Sequence, residues 1–221
     1  MALTVISLAA YRTRGSGWTQ DEYDAAAFVH ALKGEDIKNR YADIKVAGRR
    51  VRLTNANRDS ALEWFGEMAA DLVPPAKRGI WQLVPIPGHL CAVGADAPGR
   101  TGVLATALAT QSEGRGVVLD ALRWVEVVPS ARRGEAPRDP DYWYDRLTFT
   151  STQARRAVKN ARCVLVDDVL TSGSHLQAAA AMLSEAGATV SRAICGGRAV
   201  QDAVDDSWER ITVSLDDFTP G

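Results

Sequence analysis

The chain has 221 residues, 46% of them hydrophobic, enough to bury the core of one compact domain or of a domain with a small appendage. A formal net charge of -1 argues against a general polyanion binder, although Arg49, Arg50 and Arg52 could meet a phosphate locally. Three widely separated cysteines, Cys91, Cys163 and Cys195, with no C-x-x-C pair, point away from a disulfide framework or a zinc site and toward a reducing compartment.

In chain order, residues 3–8 read as a strand. No apolar run reaches the length of a membrane span, and MALTVISLAAY lacks a basic start, so no membrane partner is expected and the expected location is cytoplasmic. Residues 21–33 have the acidic start and helix formers of a helix, and DIKVAGRRVRL alternates on either side of Gly48 as a β-hairpin. Leu62, Phe65, Ala69 and Leu72 return to helical spacing, stopped by Pro74 and Pro75. IWQLVPIP then predicts a strand, and GRTGVLATALAT a helix. A further strand is expected within 121–128. Residues 129–152 are polar, rich in arginine and broken by prolines, yet hold Tyr142, Trp143 and Tyr144; such a segment reads as disordered or functional. A short helix over 151–159 precedes a strand at 163–166. The spacing of Leu176, Ala179, Ala180 and Leu183 predicts the next helix, closed by Gly187, and 190–195 predicts another strand. Strand, helix and strand within about thirty residues make a βαβ unit, which implies parallel strands.

The stretch CVLVDDVLTSGSHL carries the chemistry. Ligands of an open parallel sheet bind beyond the carboxyl ends of its strands, which is where Asp167 and Asp168 fall. Thr171, Ser172, Gly173 and Ser174 then lead into a helix N-terminus, whose unpaired N–H groups and dipole attract phosphate. Acceptors for a diol beside donors for a phosphate match a ribose 5-phosphate. A plain N-cap and strand-end solvation would explain either half alone, but not both in register. Neither G-x-x-x-x-G-K-[ST] nor G-x-G-x-x-G occurs.

These residues resemble the phosphoribosyl-diphosphate signature of type I phosphoribosyltransferases, and VLVDDVLTSGSHL is most similar to the ComF-type, competence-associated branch. VPIPGH at 84–89 and, more weakly, HALKGE at 30–35 support the likeness, which covers about residues 80–200. The chain lacks the cysteine-rich N-terminal zinc module usual in that branch, and His175 stands where many members have threonine. The resemblance implies an α/β fold with a parallel sheet, helices on both faces and a small hood. Residues 1–78 would hold the N-terminal helices and hairpin of the hood, 79–200 the binding core with a flexible loop at 129–152, and 201–221 a tail that could join the hood. It implies magnesium-dependent transfer of a phosphoribosyl group from phosphoribosyl diphosphate to a nitrogenous base, with a homodimer as an open option and nucleic acid not expected. Asp167 and Asp168 would hold the ribose hydroxyls and, through them, Mg2+. Val169, Leu170, Thr171, Ser172, Gly173, Ser174 and His175 would surround the 5-phosphate. Pro87, Gly88 and His89 would meet the diphosphate through backbone N–H groups and an unusual peptide geometry. Arg132 and Arg133, with Arg138, would neutralise the leaving group as the loop closes, and Tyr142, Trp143 and Tyr144 would exclude water. Two alternatives share the resemblance: a sensor of phosphoribosyl diphosphate or a nucleotide without turnover, and a ComF-like DNA-uptake accessory protein.

Overall fold

The computed structural model describes residues 2–38, 40–75, 79–94, 99–129 and 137–221. In chain order its elements begin with β1 (Leu3–Ser7), β2 (Ala10–Arg12), α1 (Gln20–Leu32), β3 (Ala42–Val46), β4 (Arg49–Leu53), α2 (Ser60–Ala69), β5 (Trp81–Pro85) and α3 (Arg100–Gln111). They continue with β6 (Gly116–Val118), β7 (Leu122–Trp124), α4 (Pro140–Tyr144), β8 (Leu147–Phe149), α5 (Thr152–Ala157), β9 (Arg162–Leu170), α6 (Ser174–Glu185), β10 (Thr189–Val200) and β11 (Ile211–Leu215). The main sheet runs β11-β1-β10-β9-β5-β6, with β2 also paired to β10.

The sheet is an α/β layer with helices on both faces because its central strands are apolar on both sides. Val164, Val166 and Ile194 pack with α1, α2, α3 and the β3–β4 hairpin around Phe28, Phe65 and Leu104. Leu165, Ala193 and Val5 pack on the opposite face with α6 and the segment from β7 to α5, around Trp124, Trp143 and Leu183. Arg49, Arg50 and Arg52 on the hairpin face Glu67, Asp21 and Asp43, so each has a carboxylate beside it.

Several expectations are corrected. The sheet is mixed: β11, from the tail expected as a possible hood, lies antiparallel on β1, while the other main-sheet pairings are parallel. The N-terminal hairpin buries Ala42, Ile44, Val46 and Leu53 in the first core. The strand expected within 121–128 pairs only with β8, in a small separate sheet, apart from one bridge to Ala92. Residues 140–149 form α4 and β8 rather than loop, because Asp139 caps α4 with Pro140 in its first turn and Trp143 is buried.

Two features open a crevice at the centre. The helix following β5 packs on one face and the helix following β9 on the other, so a topological switch point lies between these neighbouring strands. Pairing from β5 also stops early. Ile86 donates its N–H to the Val166 carbonyl at 2.9 Å, but its own carbonyl takes the Thr101 hydroxyl while the Asp168 N–H turns to Asp167 Oδ1, and β5 leaves β9 one residue before Asp167. On its other side β9 keeps β10 through Leu170. The strand therefore extends beyond the expected end at Val166 and carries both aspartates within it.

Candidate functional site

The crevice widens into a cavity of about 900 Å³, with Asp167 and Asp168 on its wall, the 87–89 loop beside them, and β2 and α1 contributing further lining. A smaller pocket of about 140 Å³ follows residues 171–176 and shares Asp167, Val169, Thr171 and His175 with the large one. Leu170, Ser172, Gly173 and Ser174 line the small pocket alone, and Pro87, Gly88, His89 and Asp168 the large one. The structure thus brings the aspartates, the residues of the 169–175 stretch and the 87–89 loop together, with Arg138 and Trp143 on the small pocket, whereas Tyr142 and Tyr144 line neither. Arg132 and Arg133 lie outside the described residues.

Both aspartates are held above the usual carboxylate range. For Asp167 the causes are burial first and then the neighbouring Asp168 charge; for Asp168 burial dominates, opposed by Lys33. The Asp168 N–H donates to Asp167 Oδ1 at 2.8 Å, which turns that carboxylate along its own strand. Two recessed carboxylates in this state are poised to gain from hydroxyl donors or from positive charge placed between them.

Lys33 reaches this site through HALKGE. Gly34 (φ 77°) ends α1 in a Schellman motif, with its N–H on the Ala31 carbonyl and the Glu35 N–H on the His30 carbonyl, both at 2.9 Å. The motif turns Lys33 and Glu35 toward the cavity and sets Glu35 Oε2 2.6 Å from His30 Nδ1. Arg100, at the start of α3, locks the same helix end by donating to the carbonyls of Leu32 at 2.7 Å and Ala31 at 3.0 Å. A glycine after a helical run was readable in the sequence; the meeting with Asp168 was not.

After β9 the chain turns through Gly173, which has φ 85°, and enters α6. A Cβ at Gly173 would lie 2.5 Å from Leu215 Cδ1, so the need for glycine comes from the turn and from β11 lying against it. The expected tight turn at this glycine is thus present, and the contact with Leu215 is an addition to it. The hydroxyls are also partly committed. Ser174 is buried and its Oγ donates to the Arg138 carbonyl, which leaves Ser172 as the donor in the 2.9 Å Ser172–Ser174 pair. Thr171 and Ser172 are exposed at the mouth of the small pocket.

The 87–89 loop is braced by a residue that sequence reasoning missed. Trp124 Nε1 donates to the Pro87 carbonyl at 3.0 Å, and the Val128 N–H donates to the His89 carbonyl at 3.1 Å. Thr101, buried at the start of α3, holds the Ile86 carbonyl through its hydroxyl. The expected unusual peptide is not found: no peptide bond among the described residues is cis.

His175 packs edge-on to Trp143, with ring centroids 3.9 Å apart, and 5.5 Å from Trp124. Burial lowers its pKa to about 4, so at neutral pH it is an uncharged aromatic wall, not a cationic phosphate ligand. The unfolded chain takes up this proton below about pH 6.5, and the folded one only near 4. His175 therefore favours folding fully above that range, and the benefit, up to about 3 kcal/mol, drains away as pH falls from 6.5 to 4. Urea titrations should show the wild-type midpoint falling more steeply over this window than that of His175→Phe; equal slopes would remove the histidine from the account.

The aspartates on β9, the turn from β9 into α6 and the braced loop after β5 thus share one crevice. No family model matches the chain, and no curated protein is significantly similar to it.

Proposed function

We propose that this cavity binds the magnesium complex of phosphoribosyl diphosphate and transfers the phosphoribosyl group to a nitrogenous base, on a type I phosphoribosyltransferase-like fold. The observation that carries the reading is the convergence at one switch-point crevice of the β9 carboxylate pair, the N-terminal turn of α6 and the loop after β5.

Each part has a task that its chemistry suits. Asp167 and Asp168 accept the two ribose hydroxyls, and their negative charge stabilises positive charge developing on the sugar ring. The first-turn N–H groups of α6, with the Thr171 hydroxyl, hold the 5-phosphate. Backbone of the 87–89 loop, fixed by Trp124 and Thr101, faces the diphosphate. The bond from the anomeric carbon to the diphosphate oxygen breaks with both electrons leaving on the diphosphate. A ring nitrogen of the base donates its lone pair to form the new C–N bond, and its proton passes to water. His175 and the tryptophans around it keep water from the sugar's side of the pocket.

The residues fit magnesium as a partner of the substrate. Asp167 and Asp168 offer hard oxygen donors, but among the described residues no group of three or more His, Cys, Asp or Glu could cage an ion unaided. Magnesium characteristically takes one or two carboxylates with substrate phosphates and water. Bound there, it would offset the charge of the diphosphate.

Diphosphate release, measured with magnesium and phosphoribosyl diphosphate over purine, pyrimidine and non-nucleobase acceptors, tests the reading. Acceptor-dependent release is expected. Tight binding without release on any acceptor would move the protein to a ligand sensor, and absence of binding would end both readings.

A further inference from the structure

We propose that the part of the cavity formed by β2 and α1 is the acceptor subsite, and that it takes a planar heteroaromatic base by stacking on Trp18 and Tyr23. This deepens the phosphoribosyl reading and rests on it.

Sheet order supplies the first argument. The 87–89 loop follows β5, which neighbours β9 on one side. On the other side β9 pairs with β10, where Leu170 stands opposite Arg198, and β10 in turn pairs with β2, where Ala199 stands opposite Tyr11. Tyr11 and the residues after it therefore flank the aspartates on the side away from the diphosphate loop. A nucleophile that displaces diphosphate from the opposite face of the anomeric carbon must arrive from that side. At about 900 Å³ the cavity is also at the upper end of ligand-site volumes, with room for two reactants.

The second argument is the construction of the wall. Trp18 and Tyr23 line the cavity with ring centroids 5.2 Å apart and planes 35° from parallel, and Tyr23 is 44% exposed. Such rings offer large flat area at low conformational cost, which suits a stacked base. A buried ion pair fixes them. Glu22 is fully buried, 2.6 Å from Arg12 Nε, and its carboxylate accepts the Thr19 N–H at 2.7 Å while Thr19 Oγ1 accepts the Glu22 N–H at 3.2 Å. Arg12 also donates to the carbonyls of Ser16 at 3.4 Å and Gly17 at 2.9 Å. The clamp thus grips backbone on both sides of Trp18. Burying an ion pair is costly, and here it secures a short exposed loop whose largest side chain faces the cavity.

The test combines two measurements on wild type, Trp18→Ala, Trp18→Phe and Tyr23→Ala. Calorimetry reads the affinity for phosphoribosyl diphosphate with magnesium, and saturation-transfer NMR reads the binding of adenine and uracil, with ethanolamine as an aliphatic control. The bases should bind and ethanolamine should not. Each alanine variant should weaken base binding by about tenfold, with Trp18→Phe retaining most of it, while affinity for phosphoribosyl diphosphate stays at the wild-type value. Tyr23 is exposed, so Tyr23→Ala keeps the test open if Trp18→Ala does not fold. If phosphoribosyl diphosphate binds and base binding is absent or indifferent to both substitutions, the stacking subsite is wrong and the phosphoribosyl reading stands. If base binding depends on Trp18 but phosphoribosyl diphosphate does not bind, the aromatic subsite stands and the phosphoribosyl reading falls. If neither binds, both are overturned.

Discussion

Asp168→Asn is expected to melt at or above the wild-type temperature while losing about tenfold to a hundredfold in affinity for magnesium phosphoribosyl diphosphate. The two effects share one origin. Burial raises the proton affinity of both carboxyls, and at Asp167 the neighbouring Asp168 charge adds to it, so the folded state disfavours their charged forms. For an acid raised in this way the cost is present above the unfolded pKa, near 4, and vanishes at lower pH. At pH 7 an amide removes part of that cost. It also removes a charged acceptor for a ribose hydroxyl, an interaction on the order of 1.5–3 kcal/mol. Asp167→Asn should behave alike, because the amide oxygen can still accept the Asp168 N–H. Thermal melts and calorimetry at pH 7 measure both quantities. Wild-type affinity in both single variants would remove the carboxylates from the site.

Gly173→Val should destabilise the protein by more than Ser174→Ala, for a reason that separates into two parts. A side chain at φ 85° costs about 1–2 kcal/mol, because the left-handed region brings its Cβ against the backbone. The collision with Leu215 adds to this, since the Cβ would lie 2.5 Å from Cδ1. Ser174→Ala loses two hydrogen bonds, one donated to the Arg138 carbonyl and one accepted from Ser172, each worth about 1 kcal/mol. Urea unfolding of Gly173→Ala alone and combined with Leu215→Ala divides the two contributions: the combination should cost less than the sum of the single changes, and the remainder should match the backbone part. Strict additivity would mean that the tail does not press on this turn, and a Gly173→Val no worse than Ser174→Ala would reduce the turn to a simple helix start.

What could be read from the sequence follows the range of the forces involved. Local periodicity located α1, α2, α3 and α6, and the apolar runs located β1, β5, β9 and β10. The Asp167–Asp168 pair and the following turn were legible because their chemistry is contiguous. The end of β9 was not, because an apolar run stops at the first carboxylate whereas backbone pairing to β10 continues to Leu170. Helix α4 was hidden in a polar segment, although an aspartate followed by proline was a usable start signal. The remaining pieces join residues far apart in the chain. Trp124 meets the 87–89 loop, Trp143 meets His175, Lys33 approaches Asp168, and Leu215 covers Gly173, and no spacing rule in one sequence announces such pairs.

The close passage of α1 over the sheet bears on how a ligand is received. A Cβ at Gly196 would strike Leu32 and lie 3.0 Å from the Asp168 carbonyl oxygen, so helix and strand meet there with no spare layer between them. Together with the Arg100 bonds at the helix end, this contact leaves α1 little slack to swing as a hinge. The cavity wall that α1 forms is therefore preorganised: its shape is set during folding, and a guest meets little reorganisation cost there. Discrimination by such a wall is by fit to a fixed outline. A methyl group added at position 196 would press on Leu32 and on the Asp168 backbone, and so shift that outline without touching either carboxylate.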